Sequence, residues 1–176
     1  MGKISKKKKP ENNYRFLLIV AAALVLAFLV NTFCFANTRV IGASMSPFLE
    51  ENDWVITDRL VYFRSAPAFG DIVVIRKPDV IDQPIVKRVI GVPLDTVEIR
   101  NGRLYRNGKP VVHDFASMNK SENMKMIKVP ENCYFLMGDN RGVSNDSRRW
   151  KKPFVRRDQI LGKAVLKYFP ELISLG

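Results

Sequence analysis

A mainly β, antiparallel-sheet domain behind one N-terminal transmembrane helix is the fold class that this sequence of 176 residues predicts. Three observations carry it. A lysine-rich start is followed by an uncharged apolar run. Short runs of β-branched and aromatic residues then recur, separated by Asn-Gly, Pro and Asn-Asp turns, and no stripe of helical period stands out among them. The length has room for one domain of ordinary size and little more.

Residues 1–15 form a basic segment. Six Lys and Arg side chains stand there against Glu11, a net +5, which leaves +7 of the total +12 for the rest of the chain. From Phe16 to Val30 no side chain is polar, and the apolar character continues through Asn31 and Thr32 to Ala36. A helix over residues 16–36 reaches roughly 30 Å, the thickness of a bilayer's hydrocarbon core. A cleaved secretory signal shares the basic start and the apolar run. This run is longer than a signal core, however, and Cys34-Phe35-Ala36 puts Cys at the first of the two small positions a cleavage site needs, so the segment reads as a retained anchor. Lysines stay on the cytoplasmic side beside anionic lipid, which places residues 37–176 outside.

In the exported part, Trp54 to Asp58 reads as a strand entered through an Asn-Asp turn, and Ile72 to Ile75 as a strand buried on both faces. Ser65 to Asp71 is a loop. Ile85 to Gly91 is a further strand whose alternation is broken by two adjacent cations, Lys87 and Arg88. Thr96 to Arg100 and Arg103 to Arg106 flank Asn101-Gly102, the turn pair that supplies positive φ at both centres of a type I′ hairpin. A second Asn-Gly, Asn107-Gly108, ends the returning strand. His113 to Met126 has no period and reads as a loop. Cys133 to Met137 is a buried strand, Gly138 to Trp150 is polar without a helical stripe, and Ile160 to Tyr168 is the last strand, stopped by Pro170.

Two cysteines, one inside the apolar run, make a disulfide and a cysteine metal site poor readings, and a single histidine excludes a His-rich one. No metal and no cofactor is expected. The basic balance invites a nucleic-acid partner, but a membrane anchor with an exported domain and the absence of any recognition motif argue against it. No pattern here specifies an oligomeric state.

Ile41-Gly42-Ala43-Ser44-Met45-Ser46-Pro47 sets a small hydroxyl between residues that allow close backbone approach. That suits a nucleophile, but by itself the stretch reads first as an ordinary turn, since Gly, Ser and Pro are the commonest turn formers. A serine needs a base. His113 lies in a polar loop, and the nucleophile-elbow pattern fails because Ser46 stands where it requires glycine. Lys87 is the other candidate: on the solvent face of its strand it is an ordinary surface lysine, whereas facing the core it loses charge stabilisation. Its pKa then falls from about 10.4 toward neutrality, which makes a competent general base for Ser44.

Three blocks occur in order behind the anchor: Gly42-x-Ser44-Met45-x-Pro47, then Lys87-Arg88-x-x-Gly91-x-Pro93-x-Asp95, then Gly138-Asp139-Asn140-Arg141-x-x-Ser144-x-Asp146-Ser147-Arg148. Together they closely resemble type I signal peptidases, the membrane-bound serine proteases that remove signal peptides from exported preproteins. The resemblance implies Ser44 as nucleophile and Lys87 as general base. It implies Ser144 as the hydroxyl that hydrogen-bonds and orients the lysine, Asp146 and Arg148 as an ion pair beside the site, and Asp139, Asn140 and Arg141 as the loop that presents them. Val40, Met45, Leu49, Val55, Ile85 and Val86 match positions that form an apolar substrate groove. The family's mainly antiparallel β fold agrees with the strands read above, and its substrates would be exported preproteins met at the membrane lipid surface. The alternative for the third block is a capped turn rich in Asp and Asn hydrogen bonds.

The chain departs from the pattern at three positions. Leu94 stands where many members have Gly before the aspartate, Phe48 where Thr often follows the proline, and Gly42 where some carry a serine that helps bind the oxyanion. Two rival readings are a self-cleaving Ser-Lys repressor, which should carry a DNA-binding domain and no anchor, and an inert membrane-anchored β domain that binds partners. The third block argues against both.

Overall fold

The computed structural model describes residues 13–77, 79, 81–111 and 122–175. The basic residues 1–12 and His113 with most of its loop lie outside the described residues.

Helix α1 spans Asn13–Cys34 and contains the apolar stretch Tyr14–Cys34, long and apolar enough to cross a membrane and unburied by the rest of the protein. It starts before residue 16 and stops two residues before Ala36, because Phe35–Arg39 turns into strand β1 and pairs antiparallel with β2 (Trp54–Asp58). A short helix α2 (Val61–Arg64) follows, which no sequence period announces. The remaining strands are β3 (Ile72–Lys77), β4 (Ile81–Gly91), β5 (Thr96–Arg100), β6 (Arg103–Arg106), β7 (Lys109–Pro110), β8 (Met124–Lys128), β9 (Cys133–Met137), β10 (Phe154–Arg156), β11 (Ile160–Phe169) and β12 (Ile173–Ser174).

They make two antiparallel sheets, one ordered β1-β2-β11-β3-β4-β9-β10 with β12 beside β11, the other β7-β6-β5-β8. The hairpin β5–β6 turns at Asn101 and Gly102, both at positive φ as type I′ requires. Asn107-Gly108 ends β6 as expected and makes a second tight turn, also at positive φ, into β7. Met124 to Met126, expected in a loop, belong to β8, because Met124 and Ile127 pair with Ile99 and Val97 of β5. Nor is β11 the last strand, since the chain returns after Pro170 to pair Ile173 with Lys167.

The apolar side chains fill three clusters. One holds Met45, Leu49, Val55, Ile72 and Val74, and so roots the serine loop in the large sheet. A second lies around Val73, Ile75, Val89 and Leu136. The third, around Ile90, Val97, Ile99, Leu104 and Phe135, joins the large sheet to the small one. Burying both faces of β3 and β4 in this way leaves the cations of β4 little contact with water, so Lys87 and Arg88 sit inside at 4% exposure each.

Candidate active site

The Ser44 loop is pinned at both ends. Val40 donates its backbone N–H to Asp53 and accepts one from Asn52, while Met45 and Leu49, linked by a backbone hydrogen bond, are fully buried anchors on either side of Pro47. Gly42 takes φ +73°, a conformation costly for a side chain, and its α-carbon faces open space. Asp53 caps the far end of the loop by accepting from Glu50 N–H, and pairs with Lys167 at 3.3 Å. These contacts present the Ser44 hydroxyl toward β4.

From the middle of β4, Lys87 reaches that hydroxyl: Nζ lies 2.5 Å from Ser44 Oγ. The register sets Lys87 opposite Val73 in a strand flanked by apolar neighbours. Burial of the amine, only partly opposed by the Asp146 and Asp139 carboxylates and assisted by the nearby Arg148 charge, lowers its pKa from 10.5 to about 8. An uncharged amine at hydrogen-bond distance from a hydroxyl can accept its proton, and the hydroxyl oxygen can then attack an acyl carbon.

The third block wraps this pair. Gly138 must be glycine, because a β-carbon there would collide with Ser144 Oγ and the Ser44 carbonyl oxygen. Asn140 donates its backbone N–H to that same carbonyl at 3.0 Å, fixing the serine loop from the other side. Asp146 accepts from Gly138 N–H at 3.0 Å and takes both Nε and Nη2 of Arg148, at 2.9 and 2.8 Å. Burial pushes the Asp146 carboxyl up, but the Arg148 guanidinium and the Gly138 N–H outweigh it and hold the group below its ordinary pKa. The expected hydrogen bond from Ser144 to Lys87 is not made: Ser144 Oγ is fully buried and has no hydrogen-bond partner among the described residues.

Sequence reasoning placed Asp139 in a presenting loop and missed its partner. Arg88 Nε and Nη2 grip both Asp139 oxygens at 2.8 and 2.6 Å, with both side chains buried, and Nη1 donates to the Gly70 carbonyl. The signal was the pair of adjacent cations in a strand buried on both faces. Phe48, one of the departures, stacks 5.0 Å from the Arg88 guanidinium and covers it.

Beside Ser44 and Lys87 lies a cavity of about 450 Å³ lined by Gly42, Ala43, Ile85, Val143 and Asn145 as well as the pair itself. Of the six apolar positions expected to form a groove, Ile85 lines this cavity. Val40, Met45, Leu49, Val55 and Val86 are buried in the core cluster behind it, so they support the wall rather than form its surface. Val143 and Asn145 point outward from the third block in alternation with buried Ser144 and Asp146, a pattern the sequence held but that was read only for the inward residues. Among the described residues no group of His, Cys, Asp and Glu is arranged to hold a metal ion, and Cys34 and Cys133 are both free.

The sequence of the chain is similar to that of known proteins along most of its length. The family model described as "Signal peptidase, peptidase S26" matches residues 13–169. "Signal peptidase I S" of Bacillus subtilis is 37% identical over 178 residues, covering 95% of this chain and 93% of its own. "Probable signal peptidase I-1" of Synechocystis sp. is 35% identical over 159 residues, covering 86% and 80%. A crystal structure of a signal peptidase I from Enterococcus faecalis is 32% identical, covers 56% of this chain and 97% of its own, and superposes with a TM-score of 0.48.

Proposed function

The chain belongs to the type I signal peptidases, peptidase family S26, and with that as premise we propose that it cleaves preproteins through a Ser44–Lys87 dyad on the outer face of the membrane. The enzyme is a serine endopeptidase, a hydrolase, of a membrane-associated family that acts on preproteins carrying signal peptides. The observation that carries the dyad is the 2.5 Å approach of a buried lysine amine to a serine hydroxyl beside a cavity.

Neutral Lys87 takes the Ser44 proton as Oγ bonds to the scissile carbonyl carbon, giving a tetrahedral oxyanion. Collapse breaks the peptide C–N bond, and the Lys87 ammonium returns its proton to the leaving amine, the new N-terminus of the mature protein. A water then attacks the Ser44 ester, again giving its proton to Lys87. The signal peptide leaves with a free carboxylate, and Ser44 regains its hydrogen. Asp146, Arg148, Asp139 and Asn140 position the pair without touching the reacting atoms. The Asn140 N–H, already spent on the Ser44 carbonyl, is not an oxyanion donor.

The substrate runs extended along β4. Strand β9 pairs with β4 only at Arg88, Val89 and Gly91, so beside Ile85 and Val86 that edge has no strand partner among the described residues. Main-chain hydrogen bonds there would lay the scissile bond at Ser44. The apolar lip of Ala43, Ile85 and Val143 favours small side chains and makes charged ones costly to desolvate, giving cleavage after small-x-small sequences such as Ala-x-Ala. The basic start lies in the cytoplasm, α1 spans the bilayer, and residues 37–176 face outward. Ser44 follows the end of α1 by ten residues, at most about 35 Å of chain, so the site stays near the level where a signal peptide's own apolar core ends.

The test is cleavage of one labelled preprotein by the purified full chain. Ser44→Ala and Lys87→Ala should each abolish it, the double variant being no worse than either single one, while His113→Ala keeps full activity. Efficient cleavage by Lys87→Ala would sink the dyad.

A further inference from the structure

The third block is tied to the small sheet through one carboxylate that the dyad reading does not use. Three of the Arg148 guanidinium's contacts are internal to the block: Nε and Nη2 to Asp146, and Nη2 also to the Arg141 carbonyl at 2.8 Å. That leaves Nη1. It points away from the block and donates to Glu122 Oε1 at 2.6 Å, with the Arg148 side chain only 3% exposed and that of Glu122 24%. Glu122 thus caps Arg148 on the solvent side.

Glu122 is itself moored. Its carbonyl accepts the Gly102 N–H at 2.9 Å, and the next residue, Asn123, accepts the Asn101 N–H through its side chain at 2.8 Å. Both bonds fasten the entry of β8 to the type I′ turn of the β5–β6 hairpin. A continuous line of charge-assisted and backbone hydrogen bonds therefore runs from that turn through Glu122, Arg148 and Asp146 to Gly138, whose α-carbon packs on Ser144 and the Ser44 carbonyl.

Resting on the Ser44–Lys87 reading, we propose that Glu122 is a positioning residue for the reaction: it holds the Arg148–Asp146 pair, and through Gly138 the serine loop, at the distance proton transfer requires. A bidentate Arg–Asp pair alone fixes the plane of the guanidinium but leaves it free to rock with the block. A second carboxylate, moored at the entry of β8, removes that freedom. Its charge matters as well as its reach. Lys87 is faced by Asp146, Asp139 and Arg148, with Arg88 held on Asp139. Removing the negative charge of Glu122 leaves Arg148 less compensated, which disfavours the protonated amine.

The experiment compares Glu122→Gln and Glu122→Asp with the unaltered full chain in detergent, measuring kcat, KM, melting temperature and the pH profile on one preprotein, with Ser44→Ala and Lys87→Ala alongside. Glu122→Gln should lower kcat by about tenfold, the scale of one hydrogen bond to a charged group, with KM changed less than about twofold. Its acid limb should move to lower pH, and Glu122→Asp should recover part of the rate. An unchanged kcat, or a loss that tracks melting temperature with the acid limb unmoved, overturns the proposal while leaving the dyad intact. Activity surviving in Ser44→Ala or Lys87→Ala would overturn the dyad reading instead.

Discussion

Replacing Lys87 with methionine should make the protein more stable at neutral pH while destroying its activity. The ammonium is held at a pKa near 8 against an ordinary 10.5, so keeping it protonated costs the folded state about 3 kcal/mol. The sign follows from proton counts. Between about pH 8 and 10.5 the unfolded chain holds a proton that the folded one has lost, so the stability of the unaltered protein rises with pH across that window. Below pH 8 both states are protonated and the full penalty is present; above 10.5 neither is, and it vanishes. Methionine fills a similar volume without a charge, and half-buried Ser44 can turn its hydroxyl to water. Urea denaturation of the full chain in detergent, followed by Trp54 and Trp150 fluorescence, should show the Lys87→Met midpoint higher by about 1–2 M at pH 7, assuming a slope near 2 kcal/mol per molar. By pH 10.5 the two curves should nearly coincide. A variant less stable than the parent at pH 7, or a gain that does not change between pH 7 and 10.5, would refute the claim that Lys87 is buried against its charge.

Asp139→Asn should destabilise by about 3–5 kcal/mol, because it strands the buried Arg88 guanidinium, and should lower activity through the Asn140 contact to Ser44; thermal melting and a cleavage assay check both. Leu94 sits exposed at φ +72°, where an L-residue pays about 1–2 kcal/mol, more than glycine loses in chain entropy. Leu94→Gly should therefore gain about 0.5 kcal/mol with cleavage unaffected, and a lower melting temperature would contradict that account of the strain.

What could be read from the sequence divides along a physical line. Strands with their own signal were legible: Ile72 to Ile75 by continuous burial, the β5–β6 hairpin by Asn101-Gly102, Cys133 to Met137 by its apolar run. Strands that exist because a partner is present were not. Phe35 to Arg39 has no β pattern of its own and is extended because it pairs with β2, and Phe154 to Arg156 is too short to show a period yet pairs with β9. The same holds for the site. Ser44 and Lys87 stood out through motif spacing, but the inward direction of Lys87 follows only from the sheet packing around β4. Arg88 with Asp139 and Arg148 with Glu122 are 51 and 26 positions apart, and nothing local to either member announces the other. The groove positions show the converse: apolar residues near the nucleophile read as a binding surface, whereas five of six were needed to root the loop.

The dependence of kcat/KM on pH, measured for the unaltered enzyme on one preprotein with chemistry limiting, tests the central claim most directly. A neutral Lys87 is the base, so the rate should rise on the acid side as the amine loses its proton, with a midpoint at about 8. A rate that is flat from about pH 5 to 9 would contradict it, since no group with the pKa of this lysine would then be working as the base.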